Sequence, residues 1–215
     1  MGKLEEIRHR IKMAAQKSGR NPDSILLIAV SKGQSPSKMR ETACHGQIDF
    51  GENYVQEMQA KMETLKNEKS VWHFIGHLQT NKVGKIIDAI DWLHSLDSLK
   101  LAKAINQKRK TPLRCLLEIN FGNEKTKTGI SKEEALAFIP RLKEFSNIDL
   151  KGLMTMAPRS HFAECMLLLQ EINERHLYPK PLTELSMGMS SDFEIAIEVG
   201  ATMVRIGTAL FGERG

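Results

Sequence analysis

The order of apolar and amphipathic segments predicts a parallel (β/α)8 barrel. Three observations lead there. Eight short runs rich in apolar and β-branched residues recur along the chain. Stretches with helical period separate them. The clearest run, LLIAV at 26–30, is apolar at every position, as a strand covered on both faces requires. Eight strand–helix units most simply close on themselves, with an open doubly wound sheet as the alternative. The 215 residues are enough for one such domain over residues 1–215, and neither a low-complexity linker nor a tandem repeat divides them.

The elements follow in order. Leu4, Ile7, Ile11 and Ala14 or Ala15 share one face of an extra helix ahead of the first strand. Strand-like runs then occupy 26–32 and 48–52. A helix over 53–66 carries Val55, Met58, Met62 and Leu65 on one side. Runs at 72–78 and 92–97 precede a helix over 98–108, which Ser98 caps and which buries Leu101, Ala104 and Ile105. After the run at 114–120, Ser131-Lys-Glu-Glu reads as a capping box. It leads into Leu136, Phe138, Ile139 and Leu142, with Pro140 interrupting the pattern. A run at 150–156 is followed by a helix over 161–176 with Phe162, Met166, Leu169 and Ile172 inward. The run at 185–189, a short helix over 191–199 and a last run at 202–207 complete the eight units.

Composition removes several function classes. Net charge is +5, yet the basic residues are spread out. Their one dense stretch, Gln107 to Lys110, reads as a solvated helix end, so no nucleic-acid partner is expected. Cys44, Cys115 and Cys165 lie far apart without metal-ligand spacing, as expected of reduced thiols in a cytoplasmic protein. The N-terminus MGKLEEIRHRIK is charged throughout, and no apolar run reaches the length of a membrane span. Neither a signal peptide nor a membrane partner is therefore expected.

In a barrel of this kind the active residues collect where strands end and the following loops begin. Lys32 stands at the first such end, Asn53 at the second, Asn120 at the fifth, and Arg205 on the eighth run. The loops after the last two strands, SMGMSSD and RIGTALFG, are the usual place for a phosphate. Gly188 and Gly207 let the backbone approach closely, and Ser190 and Thr208 offer hydroxyls and N–H groups at helix starts. Lys32 either reaches for solvent along its own stem or offers an amine in the barrel mouth. An amine opposite a phosphate site suits a phosphorylated aldehyde, and pyridoxal 5′-phosphate (PLP) fits. Arg205, two residues before the glycine of the second loop, is placed to meet the ring nitrogen.

The motifs AVSK (29–32), DFGENYVQE (49–57), WHFIGHLQTNK (72–82), KTGIS (127–131), GLMTM (152–156) and LSMGMSSDFEIAIEVGATMVRIGTALFG (185–212) span nearly the whole chain. On these the sequence resembles the YggS-type PLP-binding proteins, the PLP homeostasis family, which share the barrel of the alanine racemase N-terminal domain. The resemblance implies that Lys32 holds PLP as an internal aldimine and that Asn53 lines its pocket. Ser190 and the backbone around Gly207 and Thr208 would cradle the phosphate. Ser186 would lie at the same pocket wall, Arg205 would face the ring nitrogen, and Met154 and Met156 would flank the ring or the strand-six side of the pocket.

A carrier and an enzyme differ in what else they need. Beside a protonated arginine the ring nitrogen stays unprotonated, which weakens it as an electron sink. Racemases of this fold add a second base, a tyrosine from a further domain of the partner subunit. No such domain follows before Gly215, and the two tyrosines here are Tyr54 and Tyr178. Of these, Tyr54 reads best as a helix-start residue on the surface. His73 and His77 are four apart, but in a strand-like run and without a motif glutamate, so no metal is expected. The expectation is a non-enzymatic, monomeric PLP carrier or buffer. PLP-dependent apo-enzymes would be its recipients, and it would act on amino- and keto-acid metabolism indirectly. A PLP-dependent amino-acid racemase is the alternative.

Overall fold

The computed structural model describes residues 2–122 and 128–213. Its eight strands are β1 (Leu26–Val30), β2 (Asp49–Glu52), β3 (Val71–Phe74), β4 (Trp92–Leu96), β5 (Leu113–Ile119), β6 (Ile148–Thr155), β7 (Glu184–Ser186) and β8 (Met203–Ile206). They pair in chain order, every pair parallel, and β8 returns to β1 in the register Ile28 to Arg205. The closed (β/α)8 barrel expected from the sequence is therefore present, and every predicted strand is found.

The helices are α1 (Lys3–Lys17), α2 (Pro36–Cys44), α3 (Val55–Thr64), α4 (Val83–Ile86), α5 (Leu99–Lys108), α6 (Lys132–Phe138), α7 (Phe162–Glu174), α8 (Phe193–Val199) and α9 (Thr208–Phe211). The extra helix α1 buries Leu4, Ile7, Ile11, Ala14 and Ala15. It is tied to α8 by Arg10 on Glu194 and Lys17 on Glu198. The capping box of α6 forms as read, with Ser131 Oγ accepting from the Glu134 N–H and the Glu134 carboxylate accepting from the Ser131 N–H. Pro140 then does what a helix-interior proline must. It ends the α-helix at Phe138 and starts a 3-10 segment over Ile139–Glu144, where its missing N–H costs nothing.

Helix α2 was not legible from periodicity, because Met39 is its one buried residue. Its start is nonetheless written in the sequence. Ser35 Oγ accepts from the Lys38 N–H, and Pro36 occupies the first turn. Helices α4 and α9 span four residues each, too short for any apolar stripe to repeat. The strands also stop earlier than their apolar runs. Lys32, His77 and Gly188 all lie beyond strand ends, on the loops of the barrel mouth.

Two apolar layers result. One lies between strands and helices. The other fills the barrel itself, where Ile28, Trp92, Leu116, Met154 and Met203 pack together. Residues two further along these strands share their parity and hence their inward face: His94, Glu118 and Arg205. Among the described residues no helix is long and apolar enough to cross a membrane.

Candidate functional site

A cavity of about 360 Å³ opens at the C-terminal ends of the strands, a size typical of small-ligand sites. Lys32, Asn53, Ser190, Arg205, Gly207 and Thr208 line it. With Met156 these are seven of the nine residues expected there, brought together from the ends of β1, β2, β6, β7 and β8. Val30, Gln34, Ile75, Met156, Met189, Ser191 and Gly212 complete the wall. Of the apolar ones, Val30 ends β1, while Ile75, Met156 and Met189 lie on loops past strand ends, where no period marks them.

Lys32 sits two residues past β1, half-buried, in the turn Ser31–Gln34, which the Gln34 N–H closes on the Ser31 carbonyl at 2.9 Å. Asn53 Oδ1 is buried at the cavity without a protein partner among the described residues. A buried amide oxygen left unmatched is costly unless a ligand donor meets it. Gly76 fixes the neighbouring backbone: a Cβ there would lie 2.2 Å from the Asn53 carbonyl oxygen, so no other residue lets the chain after β3 pass this close.

The loops after β7 and β8 are joined to each other. Ser190 Oγ accepts from the Ala209 N–H at 3.2 Å. Gly188 turns the first loop at φ +89°, and a Cβ there would meet the Ala196 methyl at 2.5 Å. Glycine is required on both counts. Arg205, on β8 just before the second of these loops, is 3 % exposed. Its Nη1 donates to Ser186 Oγ at 2.7 Å and its Nη2 to the Thr155 carbonyl at 2.8 Å and the Met156 sulfur at 3.1 Å. Burial brings its guanidinium down to about 10, so it remains charged at neutral pH.

Two expected wall residues are elsewhere. Ser186 is fully buried rather than at the cavity: it points inward like Arg205 but is level with Met203, one layer below it. Met154 shares that inward face and is packed in the barrel core, leaving Met156 alone at the cavity. Of the polar residues weighed as further bases, Tyr54 is 61 % exposed at the start of α3 and lies outside the cavity. His77 pairs with Asp97 at 3.1 Å on the rim. Lys127 of the KTGIS motif lies outside the described residues.

His73 is not at the mouth. It belongs to a buried chain that descends from Arg205 through the barrel. His94 Nδ1 lies 3.0 Å from Ser186 Oγ, His94 Nε2 lies 3.0 Å from His73 Nδ1, and His73 Nε2 lies 2.9 Å from Asp49 Oδ1. Burial pushes His73 below the ordinary imidazole range against the opposing pull of Asp49. Burial, helped by the neighbouring His73 ring and the Arg205 charge, pushes His94 well below it. With both rings neutral the protons have one consistent order. Arg205 donates to Ser186, Ser186 to His94, His94 to His73, and His73 to Asp49. The chain thus holds the Ser186 oxygen ready for Arg205. His94 was missed from the sequence, although its parity with the inward Trp92 could have marked it.

A pH effect follows. A histidine kept neutral in the fold binds fewer protons than the unfolded chain does near pH 6.5 and below, so stability falls as pH drops through that range. Each such proton changes the slope by up to about 1.4 kcal/mol per pH unit. His94→Asn is expected to flatten the loss of stability with acid relative to the parent protein, read by urea unfolding at a series of pH values. Equal slopes would refute the neutral state of His94.

Fold and site together define a barrel protein with an amine-bearing cavity at the C-terminal ends of its strands. The chain belongs to the family described as alanine racemase, N-terminal domain, which it matches over residues 3–215. It is 40 % identical to the pyridoxal phosphate homeostasis protein of Pseudomonas aeruginosa, over 98 % of this chain and 94 % of that one. PipY of Synechococcus elongatus, solved without PLP, superposes with a TM-score of 0.84 at 35 % identity, over 96 % of this chain and 100 % of that one. The same protein solved with PLP bound gives 0.81 at 34 %, over 94 % and 100 %. Alanine racemase from Corynebacterium glutamicum, at 18 % identity and a TM-score of 0.71 over 98 % of this chain and 62 % of that one, shares the fold.

Proposed function

We propose that this chain binds PLP reversibly and serves as a carrier or buffer of it for PLP-dependent apo-enzymes. In this reading it acts in the cytoplasm, as a monomer, with residues 1–215 forming a single PLP-binding domain. The carrying observation is that Lys32 and Arg205 line one cavity together with Ser190, Gly207 and Thr208. Lys32 would take the aldehyde, the Ser190 and Thr208 loops the phosphate, and Arg205 the ring nitrogen, with Asn53 meeting a ring substituent. Bound PLP supplies an aldehyde for amines and a ring that withdraws electrons from what is attached to it. Support comes from the relatives named as PLP homeostasis proteins and from PipY with PLP bound.

The geometry favours holding over turnover. A racemase needs bases on both faces of its substrate. Among the described residues the cavity wall offers no tyrosine, histidine, cysteine or carboxylate beside Lys32. Charged Arg205 also keeps a proton off the ring nitrogen, which limits the ring as an electron sink. The test is to load the protein with PLP, mix it with a PLP-dependent apo-enzyme, and follow that enzyme's recovery beside an assay for alanine racemisation. Recovery without racemisation is expected. Racemisation lost in Lys32→Ala would replace the carrier reading with the enzymatic one.

A further inference from the structure

Beneath Lys32 lies a buried ion cluster that binding alone does not explain. Lys61 and Glu57 stand one turn apart on α3. Lys61 Nζ donates to the Ser31 carbonyl at 2.5 Å, to Glu52 Oε1 at 2.6 Å and to Glu57 Oε1 at 2.7 Å. The Gly33 N–H donates to the same Glu57 oxygen at 2.6 Å. Ser31 Oγ donates to Glu52 Oε1 at 2.7 Å. The peptide groups on either side of Lys32 are therefore both gripped from α3, one at its carbonyl and the other at its N–H. Lys61 is 4 % exposed and Glu52 fully buried. An ion cluster so placed is a poor way to gain stability, since apolar residues of equal volume generally serve as well. It is a good way to hold two specific peptide groups at a fixed angle.

We infer that Glu57 and Lys61 are positioning residues for Lys32: they lock the Ser31–Gln34 turn so that the Lys32 amine points into the cavity. The inference rests on the proposed role of Lys32. Capture of the aldehyde forms a carbon–nitrogen double bond, while the carbonyl oxygen leaves as water with the two amine hydrogens. Nothing is oxidised or reduced. The step needs the nitrogen within bonding reach of one carbon, and a turn closed by the Gln34 N–H alone leaves that reach unfixed. Glu52 completes the cluster by holding both Ser31 Oγ and Lys61.

The test uses Glu57→Ala, Glu57→Gln and Lys61→Met, with two probes. Pyridoxal phosphate reports covalent capture through its visible band. Pyridoxine 5′-phosphate carries an alcohol in place of the aldehyde and reports the rest of the site by calorimetry. Glu57 lies partly at the surface, so its replacement leaves Lys61 with Glu52 and the fold intact. Glu57→Ala is expected to slow capture by about tenfold or more, as a misaimed reacting group does, while pyridoxine phosphate binds as before. Glu57→Gln keeps an oxygen for the Gly33 N–H and should restore most of the rate. Lys61→Met should slow capture at least as much. Capture at the parent rate in Glu57→Ala, or equal loss of both probes, would overturn the positioning role and leave that of Lys32 standing. A parent protein that gives no band at all would overturn both.

Discussion

Lys32→Ala is expected to abolish the visible absorption band that PLP gives with the parent protein, and to leave the binding of pyridoxine 5′-phosphate largely in place. The reason is the distribution of amines around the cavity. Lys32 is the lysine on its wall among the described residues. Its nearest substitutes in the sequence are engaged. Lys38 Nζ donates to Gln34 Oε1 at 2.8 Å and to the Phe211 carbonyl at 3.3 Å. Lys61 is held by two carboxylates and a carbonyl beneath the turn. A cavity gains its effect from one amine at high local concentration, and among the described residues no second lysine lines it. The phosphate side of the cavity is built on Ser190, Gly207 and Thr208, which the substitution does not touch. Titration of both proteins with both compounds reads the two halves of the site apart. A band that survives in Lys32→Ala with undiminished amplitude would remove Lys32 from the centre of the site.

How much of this could be read beforehand differs by element, for physical reasons. The strands were legible because a doubly covered strand must be apolar on both faces, and Leu26–Val30 is written so. Helix α5 was legible because Leu101 and Ile105 recur on one face behind the Ser98 cap. Helix α2 carries a cap and a proline but a single buried residue, so no period marks it. The mouth residues followed from strand ends once the barrel was assumed, and Lys32, Asn53 and Arg205 all line the cavity. Ser186 and Met154 share the inward face of Arg205 but pair level with Met203, one layer deeper, and that depth follows from the register between strands, which the sequence does not show. Parity with Met203 places Arg205 inward, and Ser186 meets it there as a hydrogen-bond partner. The buried polar chain and the cluster under Lys32 were not legible at all. Asp49, His73 and His94 meet only across strands, and Glu52, Glu57 and Lys61 only when α3 folds back on β2. Such contacts leave no spacing along the chain.

Arg205→Leu is the substitution expected to cost the most stability. Arg205 is the buried cation whose charge opposes the desolvation of Glu118. The Glu118 carboxyl is 4 % exposed, takes a hydrogen bond from Thr128 Oγ1 at 2.7 Å, and has its other oxygen unmatched among the described residues. Burial already raises it above the ordinary carboxylate range, with the Thr128 hydrogen bond and the Arg205 charge pulling against that. Without the guanidinium, the Thr155 carbonyl loses a donor and Glu118 loses its opposing charge. Leaving the buried Ser186 hydroxyl and Thr155 carbonyl without this donor costs about 1–3 kcal/mol each. For a chain of this length that lowers Tm by about 10 °C. The sign of the pH dependence is fixed as well. A carboxyl whose folded pKa is raised holds its proton in the fold, so its contribution is favourable on the acid side and is lost as pH rises through the raised value. The deficit of Arg205→Leu against the parent should therefore be larger near pH 8 than near pH 5. His94, relieved of a neighbouring charge that lowers it, moves the difference in the same direction. Melting curves of both proteins at the two pH values decide it. A deficit that is independent of pH would mean that Arg205 serves the fold through its hydrogen bonds to Ser186 and Thr155, and that Glu118 is neutral whether or not a guanidinium faces it.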